Sequence, residues 1–449
     1  MECIKKRKRE KKKDNRILLL IIQKSNFINT HFYNSTTYMS SRERILAAID
    51  HKESDRVPID LGATPSSGIS VIAYQNLINY IGKTHLKTHV YDVVQQVVQP
   101  EMELLDHYGV DVVDIGRIFN QDPDYWQELE LMKGYKALYP KWFKTKLQKD
   151  NSWLAYNNKG EAIGRMPEGA TFFDQTIFPY LDNYPNDYSQ MDKDMNRVVW
   201  GGFGFTPWDW INQPGFWKLL RKKTLELKKN TDKALLIGVG CNLFEWGTFL
   251  RRMDNFLMDL LLDPKGVHGL LDALMEKHMD LLARVCDSVG DIVDIIKFGD
   301  DFGMNTGPLM STDTYNEFFQ AREKQMCDYV KSNSSMATMI HSCGGIYEII
   351  PGLIDAGFDI INPVQINAVN MEPEKLKKEF GKDVTFWGGG ADTRTILNRA
   401  TPEQVKDHVK RNIEIFSKDG GFVFNTVHNI MPDVPPQNIV AMFEAISEY

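Results

Sequence analysis

The side chains with the most chemical reach in this chain stand close together in Ala337-Thr-Met-Ile-His-Ser-Cys-Gly-Gly345. Ala337 to Ile340 read as a buried strand, and His341-Ser342-Cys343 follow it before two glycines end it. Alternate residues of an extended strand point the same way, so His341 and Cys343 aim an imidazole and a thiolate at one point beyond the strand end. That pair suits a soft-to-borderline divalent ion, zinc above all. An isolated His-x-Cys is more often a satisfied histidine beside an inert cysteine. Further ligands must therefore come from elsewhere in the chain.

The elements that would bring them follow a regular rhythm. Runs of apolar, β-branched residues near positions 57, 111, 235, 293, 338, 360, 384 and 423 read as strands, and helical patterns follow each. Such alternation predicts parallel strands joined by crossover helices, and eight units predict a (β/α)8 TIM barrel with its chemistry at the C-terminal ends of the strands. A doubly wound open sheet is the competing architecture. It would usually carry a glycine-rich fingerprint after its first strand; none is present, and Gly388-Gly-Gly390 lacks the spacing. Ser40 with Glu43, and Thr401 with Gln404, read as capping boxes that start helices. Residues 91–108 read as a helix split at Pro100. Residues 121–205 break the rhythm. Aromatic and charged residues alternate over Trp142–Gln148 and Trp153–Tyr156, and Asn157-Asn-Lys-Gly160 is a turn signal, so a long β-rich insertion between early strands is expected.

In a barrel, what stands at each strand end converges on one mouth. The first strand ends at Asp60, the third leads to Glu245, and the fourth to Asp300 and Asp301. The fifth gives His341 and Cys343, the sixth Asn362 and Gln365, the seventh Asp392, the eighth Asn425 and His428. Glu245, His341, Cys343 and His428 make a ligand set of zinc-compatible types, with Cys241 a possible substitute. Asp300 and Asp301 are the candidates for positioning substrate or handling its proton. Asp60, Gln365, Asp392 and Asn425 are the candidates for substrate contacts. Asp111 and Asp114 on the second strand fit capping or solvated roles better. Trp246, Phe302 and Trp387 fit either a pocket wall or the core.

Composition bounds the rest. A net charge of −7 over 449 residues excludes nucleic-acid binding by the chain as a whole. The sum is uneven: residues 1–38 carry ten Lys/Arg against three Asp/Glu, leaving −14 (−7 minus +7) for the remainder. That basic stretch fits a nuclear-targeting or RNA-contacting arm less well than a disordered tail or upstream sequence translated from an early start. The domain is expected to occupy 39–449. Five cysteines without paired spacing point to a reducing compartment, and the apolar run Ile17–Ile22 is too short for a signal-peptide core or a membrane span. A cytoplasmic protein without membrane attachment is expected.

His341-Ser-Cys343-Gly-Gly, Gly299-Asp-Asp-Phe-Gly303, Gly388-Gly-Gly390 and the closing His428-Asn-Ile-Met-Pro-Asp-Val-Pro-Pro-Gln-Asn438 resemble the uroporphyrinogen decarboxylase superfamily. Within it, they resemble the corrinoid-linked methyltransferase branch, over about residues 40–449 and most densely from 234 onward. The resemblance implies a (β/α)8 barrel and a zinc site of Glu, His-x-Cys and a late Cys. Glu245, His341 and Cys343 match that set, whereas the late Cys position falls on His428. It further implies a small O- or N-methylated (or thiol) substrate and a cobalt corrinoid carried by a separate partner protein, since no Asp-x-His-x-x-Gly corrinoid segment is present. Two neutral imidazoles, one thiolate and one carboxylate would neutralise Zn2+, favouring polarisation of a methoxy or amine group. Porphyrinogen decarboxylation is the alternative. The family's decarboxylases use no metal, and their N-terminal arginine-rich motif has no counterpart near Arg56–Gly62. A non-catalytic corrinoid or tetrapyrrole carrier, which would need no metal ligands, is the third reading.

Overall fold

The ring of strands begins with β1 (58–60), β2 (Val112–Asp114), β3 (Ala234–Gly240) and β4 (Ile295–Gly299). It continues with β5 (Ala337–His341), β6 (Ile360–Asn362), β7 (Thr385–Trp387) and β8 (Phe422–Val423). The computed structural model describes residues 38–449. Apart from Tyr38, the basic stretch read as a tail lies outside the described residues. Strands β2 to β8 form one parallel, curled sheet in chain order. β1 closes it. Phe424 N donates to Pro58 O at 2.8 Å, Asp60 N to Phe424 O at 2.9 Å, and Asp111 N to Ile59 O at 2.8 Å. All eight strand positions read from the sequence therefore take part in the TIM-barrel-like ring.

Alternation along each strand divides the core in two. Val112, Ala234, Leu236, Ile295, Met339, Ile360, Trp387 and Val423 pack inside the ring, with Ile45 and Ala48 from the first helix, Ser41–Ile49, against them. That helix starts in the Ser40–Glu43 capping box and binds the N-terminal end of the barrel through Arg42 N to Asp232 O at 2.8 Å. Phe298, Ile340, Ile361 and Phe386 face outward into the larger core under the surrounding helices. The apolar filling leaves most inward polar side chains toward the C-terminal mouth, where barrel chemistry belongs, with Thr385 at the other end donating to Ala48 O. Asp111 belongs to the other end. Its buried carboxylate takes both guanidinium nitrogens of Arg56 at 2.7 Å and Ile59 N at 2.9 Å, pinning β1 to β2.

The insertion is β-rich, as read. Trp126–Met132 pairs antiparallel with Tyr135–Pro140, and Lys144–Leu147, Trp153–Tyr156, Ala162–Met166 and Asp174–Gln175 form a four-stranded meander. The helix expected over 91–108 is a correction. Val90–Asp92 and Val97–Val98 are instead short antiparallel strands, and helix returns only at Met102–His107. Asp92 Oδ1 accepts from the amides of Val94 and Gln95 at 2.9 and 3.0 Å, turning the chain where a helix would have continued. The flanking valines suit the strands that result. Among the described residues, no helix is long and apolar enough to cross a membrane.

Candidate metal centre at the barrel mouth

His341 is the last residue of β5, paired with Gly299 of β4 on one side and Asn362 of β6 on the other. Beyond it the chain turns sharply. Gly344, at φ +89°, lies so close to the turn after β4 that an added Cβ would sit 2.2 Å from Gly303 C. Only glycine allows that approach, and it brings Cys343 N within 2.8 Å of Asp301 Oδ1. Cys343 Sγ then lies 3.4 Å from His341 Nε2. The loop after β8 brings His428, whose ring centroid is 6.0 Å from that of His341. One ligand atom from each of His341, Cys343 and His428 lies within 4.8 Å of the other two. In tetrahedral zinc, bonds of about 2.0–2.3 Å put ligand atoms roughly 3.3–3.8 Å apart, so this donor set fits the ion in type, and its widest pair would close by about 1 Å on binding it.

Each imidazole is oriented by an asparagine. His341 Nδ1 lies 2.6 Å from Asn362 Oδ1, and Asn362 Nδ2 donates to Trp387 O at 2.8 Å. That second bond fixes which end of the amide faces the ring. The proton then belongs on Nδ1, and Nε2 is left with its lone pair toward the cluster. His428 Nδ1 lies 2.8 Å from Asn429 Oδ1. Burial, reinforced by Lys297, lowers the pKa of His341 to about 3, so it is a neutral donor at ordinary pH. Burial pushes the Cys343 thiol well up, with Asp301 and Glu245 adding to the effect. Burial also pushes Glu245 well above the carboxylate range, helped by Asp301 and Asp300. An acidic cluster held toward its neutral forms by mutual crowding is one that a dication would discharge.

The other expected residues divide sharply. Glu245 stands on the first turn of the helix Phe244–Arg251, hydrogen-bonded to Asn242 Nδ2; it borders the His341–Cys343–His428 trio and does not belong to its 4.8 Å set. Asp301 faces the trio, 3.6 Å from His341 Nε2, with 40% of its side chain exposed. Asp300 does not. Its carboxylate accepts from the amides of Leu243, Phe244 and Glu245 at 2.6, 3.0 and 2.8 Å, anchoring the start of the helix that carries Glu245. With both oxygens so occupied it is placed to position Glu245 and is not placed to carry a substrate proton.

Among the expected substrate contacts, Gln365 ties the mouth together. Its Oε1 accepts from Gly344 N and its Nε2 donates to Asn305 Oδ1, both at 2.8 Å. Asp392 is turned into its own loop, accepting from Asn367, Arg394 and Thr395. Asp60 is buried, accepting from Trp387 Nε1 at 2.9 Å and Ala63 N at 3.0 Å, and burial raises it to about 6. Asn425 is buried, its amide turned onto the backbone of Thr426, donating to Thr426 O and accepting from Thr426 N, both at 3.0 Å. Cys241, the substitute ligand considered above, sits in the apolar core with its thiol pushed up by burial. Phe302 and Trp387 are fully buried core residues, while Trp246 is half-buried. The orienting role of Asn362 was not foreseen; a polar residue at a register position opposite the histidine was its signal.

Residues 224–449 match the family model for uroporphyrinogen decarboxylase (URO-D), slightly more than half of the chain. The chain belongs to the URO-D family. It is similar to the uroporphyrinogen decarboxylase of Chlorobaculum tepidum, 25% identical over 189 residues, covering 41% of this chain and 50% of that protein. The Methylococcus capsulatus uroporphyrinogen decarboxylase is 24% identical over 185 residues, covering 40% and 49%. The chain thus spans about half the length of the curated URO-D relatives it matches. In structure it is similar to a methyltransferase from Methanosarcina mazei, with a TM-score of 0.55 at 16% identity, covering 91% of this chain and 99% of that one. At that identity the likeness speaks for a shared fold.

Proposed function

We propose that this URO-D family member is a zinc-dependent methyltransferase, moving a methyl group between a small O- or N-methylated (or thiol) substrate and a cobalt corrinoid on a separate protein. The observation that supports it is the convergence of His341, Cys343 and His428 within 4.8 Å, each imidazole backed by an asparagine. His341, Cys343 and His428 would hold the ion, with Glu245 next in line to complete it. When bound, the zinc would supply Lewis acidity at the substrate heteroatom or thiol. Asn362 keeps the Nε2 lone pair of His341 aimed inward, and Asn429 holds the ring of His428 through its Nδ1. Cys343 would bind the ion as its thiolate, and Asp301, the exposed carboxylate beside it, is the group placed to receive a proton at the mouth. Asp300 holds Glu245 in register through the helix amides. The solved methyltransferase of the same fold is in keeping with this reading.

A decarboxylase reading is favoured by the sequence relatives, which are uroporphyrinogen decarboxylases. The two separate on metal. Purified protein should hold close to one equivalent of zinc and, with a corrinoid protein encoded beside this gene, should methylate its cobalt from methoxylated or methylamine donors, read by visible absorbance. Active protein that is essentially zinc-free would end the proposal.

A further inference from the structure

One charged side chain in the barrel is left over from everything described above. Lys297 lies on β4, two residues before Gly299, in register with Met339 where Gly299 is in register with His341. It therefore points into the ring on the same side as the metal cluster, one level deeper, about 6.6 Å along the strand. Its electrostatic neighbours are Glu245, Asp301, Cys343 and Asp60. Each of these carboxylates has a donor of its own: Asn242 for Glu245, Cys343 N for Asp301, Trp387 and Ala63 for Asp60. Lys297 Nζ has neither a hydrogen bond nor an ion pair among the described residues. Lys297 thus has acidic groups around it but no direct hydrogen-bond acceptor, and a ligand with an acceptor could supply one.

Room for that partner lies on the neighbouring strand. Gly238 of β3 is the register partner of Lys297. It shares its face with Leu236, an interior residue. A Cβ built on Gly238 meets no atom within 4 Å. Gly238, Lys297, Glu245, Asp301, Cys343 and His428 are all partly accessible.

We propose that Lys297 and the open space over Gly238 form a subsite for an anionic group on the substrate, making the substrate a small methylated compound that carries a carboxylate. The proposal rests on the methyl-transfer reading of the mouth and adds the substrate class to it. The carboxylate accepts from Nζ at the floor, and the methyl-bearing heteroatom reaches the level of His341 and Cys343. A para-substituted aromatic acid spans about that separation, whereas a short amino acid derivative would need Nζ to reach up toward the cluster.

The test is calorimetric binding to the zinc-loaded protein without any corrinoid protein. The probes are two matched pairs: 4-methoxybenzoate with 4-methoxybenzyl alcohol, and N,N-dimethylglycine with N,N-dimethylethanolamine. In at least one pair the acid should bind roughly tenfold or more tightly than its neutral-tailed partner. Lys297→Met should erase that preference, Lys297→Arg should keep most of it, and Gly238→Val should weaken both members of the pair, all with zinc content and Tm unchanged. No acid preference in either pair, or a preference that survives Lys297→Met, overturns the subsite. Retained acid preference without methyl transfer to any corrinoid protein would instead sink the methyl-transfer reading and leave the anion subsite standing.

Discussion

The two sides of the barrel mouth are built on opposite terms. On the late side, at the ends of β4, β5 and β8, the chemical groups are partly open and share their hydrogen bonds. Asp301 serves Cys343, and asparagines serve both histidines. On the early side, around β1, β2 and the insertion, the polar groups are sealed. Tyr91, Asp114, Arg117 and Thr206 are each nine-tenths buried or more, yet Tyr91 Oη, Asp114 Oδ2, Arg117 Nε and Thr206 Oγ1 have no partner among the described residues. The URO-D family model covers the late side alone. The comparison teaches that the half of the barrel shared with relatives gathers its polar groups around an accessible candidate site, though buried atoms such as Asn429 Nδ2 lack a partner there too, while the early half seals its unpartnered polar groups away from solvent, each a standing cost to stability.

The largest effects expected lie on the late side. Cys343→Ala or His341→Ala should drop bound zinc from about one equivalent to near zero and lower methyl transfer by roughly a hundredfold or more, measured by metal analysis and cobalt absorbance on the same preparation. Asn362→Leu leaves every ligand in place and should still weaken zinc some 10- to 100-fold in a chelator competition, because the imidazole loses its orienting acceptor. Equal affinity in that variant would separate the asparagines from the metal site.

Asp300 and Asp301, adjacent in sequence, sharpen the contrast within the late side. Asp300→Ala strips three buried amides of their acceptor and should cost on the order of 3 kcal/mol in denaturant unfolding. Asp301→Asn should change stability by less than about 1 kcal/mol, its carboxylate being far more exposed, while weakening zinc and slowing turnover. A reversal of those two results would exchange their roles.

The smallest effect tests the early side. Burial raises Asp114 from 3.8 to about 7. A carboxyl raised in the folded state stabilises it below the unfolded value, and that contribution is lost as pH climbs through the folded one. Asp114→Asn removes the penalty, so the variant should gain on the wild type between about pH 4 and pH 8, reaching one to a few kcal/mol at the upper end. Paired melts at pH 5 and pH 8 read it directly. His278 and His341, lowered to about 4 and about 3 by burial, pull the other way below their unfolded value, but they do so equally in both proteins.

Much of this was legible from residue types alone. The strand positions follow from runs of apolar residues, and the capping boxes at Ser40 and Thr401 from side chains that bond their own neighbours, which is local information. His341 and Cys343 were legible because a strand's two-residue repeat is also local. What was not legible depends on who meets whom across the ring. Asp300 and Asp301 look alike in sequence, and only the approach of the 243–245 amides to one of them divides their work. Asp392 looked like a mouth residue until its oxygens were seen turned onto its own loop. The mistaken helix at 91–108 failed for a smaller reason, since a single aspartate side chain competes with the helix for the amides of Val94 and Gln95.

The closure of the ring sets an order of events. Phe424, four residues before His428, is held in place by Pro58 and Asp60, more than three hundred positions earlier. On the ribosome, the pocket's third donor cannot take its place until nearly the whole chain has been made and its two ends have met. Contacts so distant along a chain form late and slowly. An ion held by this trio would therefore be loaded only after the ring has closed, and a lesion at β1 should reach the His428 donor by way of the turn after β8.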